Sequence, residues 1–488
     1  MPDGAVIPDI ASNYTISEDG TTYTFTLRPD ATFHDGKRVT SADVLYTIKQ
    51  IQNPDVKSPH RADWDGVAVS APDDHTVLLP LPHAYAPFIE NFSLGILPEH
   101  LWKDTTPEDF PFNPLNTQPI GSGPYMVKQV DKDSTGSSVR FDLVPFSDFT
   151  LGRANISAIS VRLYTSEEAV VKAFNAGDVD AVAGISSEQL AELSLNDSTV
   201  VRSTLPRVFG VFLNQNHAPV FADATVRNAL DIALDKDRLV NATLGGFATP
   251  LSSPVPPVRS EIVAGTTSTT SAAANAYTLG TVDAARDELE RGGWTWNEAE
   301  GAWKKGSQTL SFTLATTDTP ELVASANAVV TAWRQAGVKV TLKVYPLAEL
   351  NTTVIRPREY DAILFGEVIG REPDLYAFWH SSQRNDPGLN LSLYANSKAD
   401  TLLSQARATT NKSEREELYT ELADVIREDQ PAIFLYAPDF LYVFPENVTG
   451  VRIGSLTTPS ERYQNVFQWY TDTERVWEIF AKNTQPTL

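Results

Sequence analysis

A chain of 488 residues with 62 Asp and Glu against 39 Lys and Arg carries a net charge of −23, too acidic overall for a nucleic-acid or anionic-lipid partner and too long for one ordinary domain. Hydrophobic residues make up 42% and charged residues 21%, a globular balance with apolar material for sizeable cores. The absence of cysteine removes disulfides, thiolate metal sites and thiol nucleophiles together, and no run reaches the ~18 apolar residues that span a bilayer.

Residues 21–27 alternate, with Tyr23, Phe25 and Leu27 on one face, the pattern of a half-buried strand. Thr40 followed by Asp43 reads as a helix N-cap, with Val44, Leu45, Ile48 and Ile51 as the stripe behind it. Strands are expected at 67–70 and 76–79, joined through Pro72-Asp73-Asp74. Pro-rich loops run to 124, and Gly121-Ser122-Gly123-Pro124 marks a domain boundary. From 157 strands and helices alternate. Residues 159–164 form a strand, Ser166 caps a helix that Gly177 ends, and 179–183 form the next strand. Such a unit predicts a parallel sheet. Strand 208–213 ends at Asn214, and a helix follows over 224–233. The four prolines within 250–257 read as a crossing between lobes, and 265–274 as an exposed loop. Beyond it, 310–315 form a strand, Thr319 and Pro320 open a helix that Gly337 closes, and 338–344 alternate again. Helices are expected over 399–408 and 413–428. Pro431 precedes an apolar strand at 433–436, and Pro438 and Asp439 break the apolar segment that continues to 444.

Residues 360–383 organise the rest. Ala362 to Phe365 is an apolar run that reads as a fully buried strand. It breaks into a loop punctuated by Gly366, Gly370, Pro373 and Asp374, and a short helix carrying Tyr376, Phe378 and Trp379 follows. In open α/β sheets ligands sit beyond the carboxyl ends of the strands. This loop offers a lone carboxylate in Glu367, a cation in Arg371, aromatics and His380. Local pattern alone favours a plainer account, a surface connection whose aromatics belong to the core.

Motifs for catalysis are missing. There is no Walker A loop, no G-x-G-x-x-G, no H-E-x-x-H and no G-x-S-x-G. The histidines at 34, 60, 75, 83, 100, 217 and 380 never pair at i+3 or i+4, so no metal site, catalytic residue or cofactor is expected. Glu367 is one carboxylate where glycoside chemistry uses two.

Several segments, in order, resemble the bacterial family 5 extracellular solute-binding proteins, the peptide and nickel receptors of ABC importers. They are D-G-x-x-I-P-D-I-A-S from Asp3, E-D-G-T-T-Y-T-F-T-L-R-P-D-A-T-F-H-D-G from Glu18, T-S-A-D-V at Thr40 and G-S-G-P-Y at Gly121. A-G-D-V-D at Ala176, F-L-N-Q-N at Phe212 and V-R-N-A-L-D-I-A-L-D-K-D at Val226 continue the series. Y-D-A-I-L-F-G at Tyr360, E-P-D-L-Y-A-F-W-H-S-S-Q at Glu372 and R-E-E-L-Y-T-E-L-A-D-V-I-R-E-D-Q-P-A-I-F-L-Y at Arg415 complete it.

The resemblance implies a two-lobe, periplasmic-binding-protein-like α/β fold of type II, with a hinge and an extra inserted domain. The extra domain is expected over 1–120, the first lobe over 121–249 completed by 455–488, and the second lobe over 250–454. It also implies an export signal and an opening strand of the first lobe, neither present before Asp3. The start is therefore expected to be truncated or misannotated, since a lobe lacking a strand exposes an unpaired edge. Peptide-binding members place an aspartate four residues before the loop proline to hold the ligand's amino group. Ile369 stands there, and Glu367 is the nearby substitute.

The expected function is capture of a peptide or peptide-like solute between lobes and delivery to the transmembrane subunits of an ABC permease. The chain would act as a monomer, either periplasmic or lipid-anchored at the outer face of the cytoplasmic membrane. The expected ligand contacts are Glu367, Arg371, Trp379, Phe365 and Tyr376, with Asn214 reaching in from the first lobe. The alternatives are a sensing protein for a sugar or metal chelate, and a hydrolase, for which no paired acid and base is visible.

Overall fold

The computed structural model describes residues 6–257, 260–263, 282–370, 373–454 and 456–471. The N-terminal part forms a four-stranded antiparallel sheet in the order β1-β2-β4-β3, from β1 (Ala11–Ile16), β2 (Thr22–Leu27), β3 (Ser70–Asp73) and β4 (Thr76–Pro80). Helix α1 (Ser41–Gln52) packs on it and starts at the expected capping box, where Asp43 Oδ2 accepts the Thr40 N–H at 2.9 Å. Tyr23, Trp64, Val77, Leu79 and Phe88 build the core of this domain.

A second antiparallel sheet follows, of β5 (Tyr125–Lys132), β6 (Ser138–Pro145) and β7 (Ile159–Arg162). Helix α2 (Glu167–Asn175) begins at Ser166, whose Oγ accepts the Ala169 N–H at 3.3 Å. The next strand, β8 (Val182–Ala183), does not lie beside β7. The β5–β6 hairpin has taken β7, so the unit expected to make a parallel pair is divided between two sheets.

The remaining elements build both lobes. They are β9 (Ser198–Thr204), β10 (Arg207–Leu213), α3 (Ala224–Ile232), α4 (Lys236–Leu244), β11 (Ala248–Pro250), β12 (Ser260–Val263) and α5 (Val282–Arg291). A small sheet of β13 (Thr295–Asn297), β14 (Ala302–Lys305) and β15 (Gln308–Thr309) precedes β16 (Ser311–Thr317), α6 (Pro320–Gln335), β17 (Lys339–Tyr345) and β18 (Ala362–Val368). Then come α7 (Tyr376–Trp379), α8 (Ser397–Ala408), α9 (Lys412–Asp429) and β19 (Ala432–Pro445).

The strands run in the order β12-β9-β19-β10-β18-β16-β17. Only β18-β16-β17 is parallel; every other pair on that path is antiparallel. Strand β19 explains the two-lobe form. Its first part pairs with β10, up to Tyr436, and from Asp439 it pairs with β9. Pro438 sits at that change of partner, where its missing N–H is tolerated and its carbonyl accepts the Leu205 N–H at 2.9 Å. The backbone therefore crosses between sheets twice side by side, at 205–206 and at 437–438. Strand β10 and helices α3 and α4, placed with the first lobe by a division at 249/250, have their strand and core partners in the second.

The sheet of the second lobe, made of β10, β18, β16, β17 and the start of β19, is covered on both faces. Val211, Leu230, Trp294, Trp333 and Leu435 lie on one side, against α3 to α6. Val208, Phe212, Trp379, Leu422 and Ile426 lie on the other, against α7 to α9. Two covered faces are why β18 and the start of β19 read as unbroken apolar runs. Among the described residues no helix is long and apolar enough to cross a membrane. The loop expected at 265–274 lies outside the described residues.

Candidate functional site

Strand β10 pairs antiparallel with β18 from Leu213↔Ala362 to Arg207↔Val368, and β16 runs parallel to β18. The carboxyl ends of β16 and β18, the first turn of α6 and the crossing at 205–206 therefore gather at one end of the second lobe's sheet. The Ile369 N–H donates to Pro206 O at 3.0 Å and ties the segment after β18 to the crossing.

At this end Glu367 faces the α7–α9 side of the sheet and is 2% exposed. Among the described residues neither of its carboxylate oxygens has a hydrogen-bond partner. Burial pushes its carboxyl well above the usual carboxylate range. The indole N–H of Trp379 opposes that shift but stands outside hydrogen-bonding geometry, and it too has no partner. The contrast with other buried indoles is informative. Trp294 donates to Asp223 at 3.0 Å, Trp303 to Ala336 O at 2.8 Å and Trp333 to Leu230 O at 2.8 Å. Glu367 and Trp379 are thus two adjacent buried groups with hydrogen-bonding capacity unspent.

The Trp379 ring is fully buried, with its centroid 5.6 Å from Phe434 and 6.1 Å from Phe212, so its body belongs to the core. Phe365 is half-buried against the same cluster. Tyr376 is half-buried as well, its ring 4.2 Å from the Arg407 guanidinium and stacked on His380 at 4.1 Å. Arg371 lies outside the described residues. Asn214 is separated from all of these by strand direction. It follows Leu213, which pairs with Ala362, so it stands about 20 Å from the Glu367 end at ~3.3 Å per residue. There its Oδ1 accepts the N–H groups of Asn216 and His217 at 3.1 Å, and its Nδ2 donates to Arg358 O at 3.1 Å. It closes a turn within the second lobe, not the first.

Arg207, which carries no sequence signal beyond a single charge before an apolar strand, stands at the cleft end opposite Val368. Its guanidinium makes no hydrogen bond or ion pair among the described residues, and its Nε is buried. Acidic groups approach from both lobes. Burial raises the Glu321 carboxyl at the start of α6, and the charge of Glu167 on α2 raises it further. Glu167 accepts the Ser186 N–H at 3.0 Å. The lobes thus present acidic groups close enough to feel one another's charge. A cavity of about 450 Å³, lined by Asp231, Lys236, Gln430 and Phe434 among others, lies towards the start of β19, away from this end. Among the described residues no cluster of three or more His, Asp or Glu is placed to hold a metal ion.

The description "Bacterial extracellular solute-binding proteins, family 5 Middle" matches residues 5–422, which takes in strands of both lobes. The chain belongs to this family. Among its relatives, the oligopeptide-binding protein AppA of Bacillus subtilis is 25% identical to this binding protein over 468 residues, covering 93% of this chain and 81% of AppA. The probable D,D-dipeptide-binding periplasmic protein DdpA of Escherichia coli is 27% identical over 452 residues, covering 91% and 81%. The solved structure of DppA from Helicobacter pylori in complex with the peptide STSA aligns with a TM-score of 0.69 at 21% identity, over 97% of this chain and 90% of that one. This likeness establishes the two-lobe fold for the binding protein.

Proposed function

We propose that this chain is the solute-capturing component of an ABC importer. It holds a peptide or peptide-like solute between its lobes and delivers it to the transmembrane permease subunits. It works as a monomer outside the cytoplasm, periplasmic or lipid-anchored, and catalyses no reaction. The observation that carries this reading is the family match across both lobes. The names of AppA, DdpA and DppA, each tied to peptides, support the ligand class.

The cleft chemistry supports it too. A free peptide is a zwitterion, and among the described residues this end of the sheet holds a guanidinium and a buried carboxyl that are both without a partner, on its two faces. We assign Arg207 to the ligand's carboxylate and Glu367 to its amino group, with Phe365 and Tyr376 bordering the site. A ligand ammonium reaching Glu367 would draw its proton off, because a nearby opposite charge favours the ionised form. Ligand binding to the closed arrangement would then shift the lobes towards closure.

The test is native mass spectrometry of the freshly purified full chain, followed by capture from a tripeptide-to-pentapeptide library. Arg207→Gln should weaken capture of free peptides about tenfold or more, the usual loss for a charge-assisted hydrogen bond, and leave C-terminally amidated peptides unaffected. Co-purification of a sugar or a metal chelate, with no peptide bound, would replace the ligand class. Equal capture by wild type and Arg207→Gln would remove Arg207 from the site.

A further inference from the structure

The N-terminal sheet domain and the second lobe meet at a side-chain cluster drawn from three distant stretches of the chain. Tyr85 Oη donates to Asp374 Oδ2 at 2.9 Å. Arg407 on α8 donates to the same oxygen from Nε at 3.1 Å and from Nη2 at 2.6 Å. Its guanidinium lies 5.1 Å from the Tyr85 ring centroid and 4.2 Å from that of Tyr376. The other oxygen of Asp374 accepts the Tyr376 N–H at 3.2 Å, at the start of α7. Beside it, Tyr419 Oη donates to Pro373 O at 2.5 Å. The Tyr85 hydroxyl is raised far above its ordinary value, first by burial and then by the charge of Asp374, so it stays a donor.

A second contact reinforces the first. Gly20, at φ +69°, forms the turn between β1 and β2. A Cβ there would stand 3.3 Å from Ala84 Cβ and 3.4 Å from Thr410 Cγ2, in the turn between α8 and α9. The absence of a side chain lets the two domains approach closely beside Tyr85.

We propose that Tyr85 and Arg407 are positioning residues for the ligand cleft: acting through Asp374, they clasp the start of α7 to the N-terminal domain. This rests on the reading of the β18 end as the ligand site. Arg407 and Asp374 both belong to the second lobe, so their pair alone joins nothing across domains. Tyr85 supplies the link, and Arg407 fixes the carboxylate it must meet. The N-terminal domain, which among the described residues contributes no strand to either lobe's sheet, thereby sets where the far side of the ligand segment stands. Docking of that domain and retention of a ligand become coupled through one carboxylate.

The lack of cysteine makes a clean distance measurement possible on the full chain. Fluorophores on Asp55→Cys and Glu417→Cys, both exposed positions, report the separation of the N-terminal domain and α9 by single-molecule energy transfer. Tyr85→Phe keeps the ring and removes only the hydroxyl. It should move molecules to longer separations without ligand, and Arg407→Gln should do the same. Capture of a tripeptide-to-pentapeptide library by Tyr85→Phe should fall about fivefold or more, the lower end of ordinary coupling between sites. Unchanged distance distributions in both variants would overturn the clasp. Longer distances with undiminished capture would overturn the positioning role and leave a purely architectural contact. If the wild type captures no peptide at all, the peptide reading fails, and the distance measurement still decides the clasp.

Discussion

Glu367→Gln is expected to unfold at a higher temperature than the wild type, by about 1–3 °C at pH 8, and to lose part of that advantage at pH 5. The reason is a carboxyl that folding removes from water without supplying a partner. Both of its oxygens are buried and unbonded, and burial holds its pKa well above the ordinary value of 4.5. In the unfolded chain the group ionises near 4.5, while the folded chain keeps its proton to higher pH. Between those two values the folded state binds more protons than the unfolded state, so stability falls as pH rises. Below about 4.5 both states hold the proton and the penalty vanishes. Glutamine cannot ionise, so the variant lacks this slope. Scanning calorimetry of both proteins at pH 5 and pH 8 checks the sign. A variant less stable at both values would mean that the carboxyl has an ionic partner in solution. Under the proposed function, the same substitution should weaken capture of peptides with a free amino group and leave N-acetylated peptides unaffected. A residue retained at the expense of stability because a ligand needs it is the ordinary form of the trade between stability and function.

Local features of this fold are legible in the sequence because their causes are local. Thr40 with Asp43, Ser166, and Pro320 after Thr319 each satisfy or remove a backbone group within one turn, and each helix begins where they indicate. The apolar run at Ala362 is a strand for the expected reason, cover on both faces. Partner identity is another matter. Nothing in the periodicity of β10 says that it pairs with β18, whose partner residues, from Leu213↔Ala362 to Arg207↔Val368, lie 149 to 161 positions away in the chain. The same limit hides Tyr85, whose bond to Asp374 joins residues 289 apart. Pro438 and Asp439 looked like an interruption because a proline removes a ladder donor, yet the strand runs through them at the point where its neighbours change. Glu367 was legible as a charge in an apolar stretch. Arg207 was not, because a lone arginine before a strand is what most solvated faces offer.

That change of neighbours is where the second large effect is expected. Asp439 is 1% exposed in its side chain, and its Oδ2 lies 2.8 Å from Arg202 Nη2, itself 16% exposed. Thr204 Oγ1 donates to Oδ1 at 3.2 Å, and the Asp439 N–H donates to Phe247 O at 3.1 Å. The pair joins β9 to β19 where the two crossing strands leave the first lobe. Asp439→Ala would take one carboxylate away from the largely buried Arg202 guanidinium. Breaking a buried pair from one side costs about 3–5 kcal/mol, since the attraction between the two charges is lost while the guanidinium stays largely out of water. The urea midpoint of this variant should drop accordingly. The double variant Arg202→Met, Asp439→Leu should recover most of the loss, because a buried pair replaced on both sides by apolar groups of similar size is often neutral. A double variant as unstable as the single one would locate the loss in the Thr204 hydroxyl and the local backbone instead of the charge. If stability is recovered but peptide capture is not, the pair's role is to hold the two crossings in register. A hinge of two neighbouring strands can close the lobes reproducibly only while those strands keep their pairing.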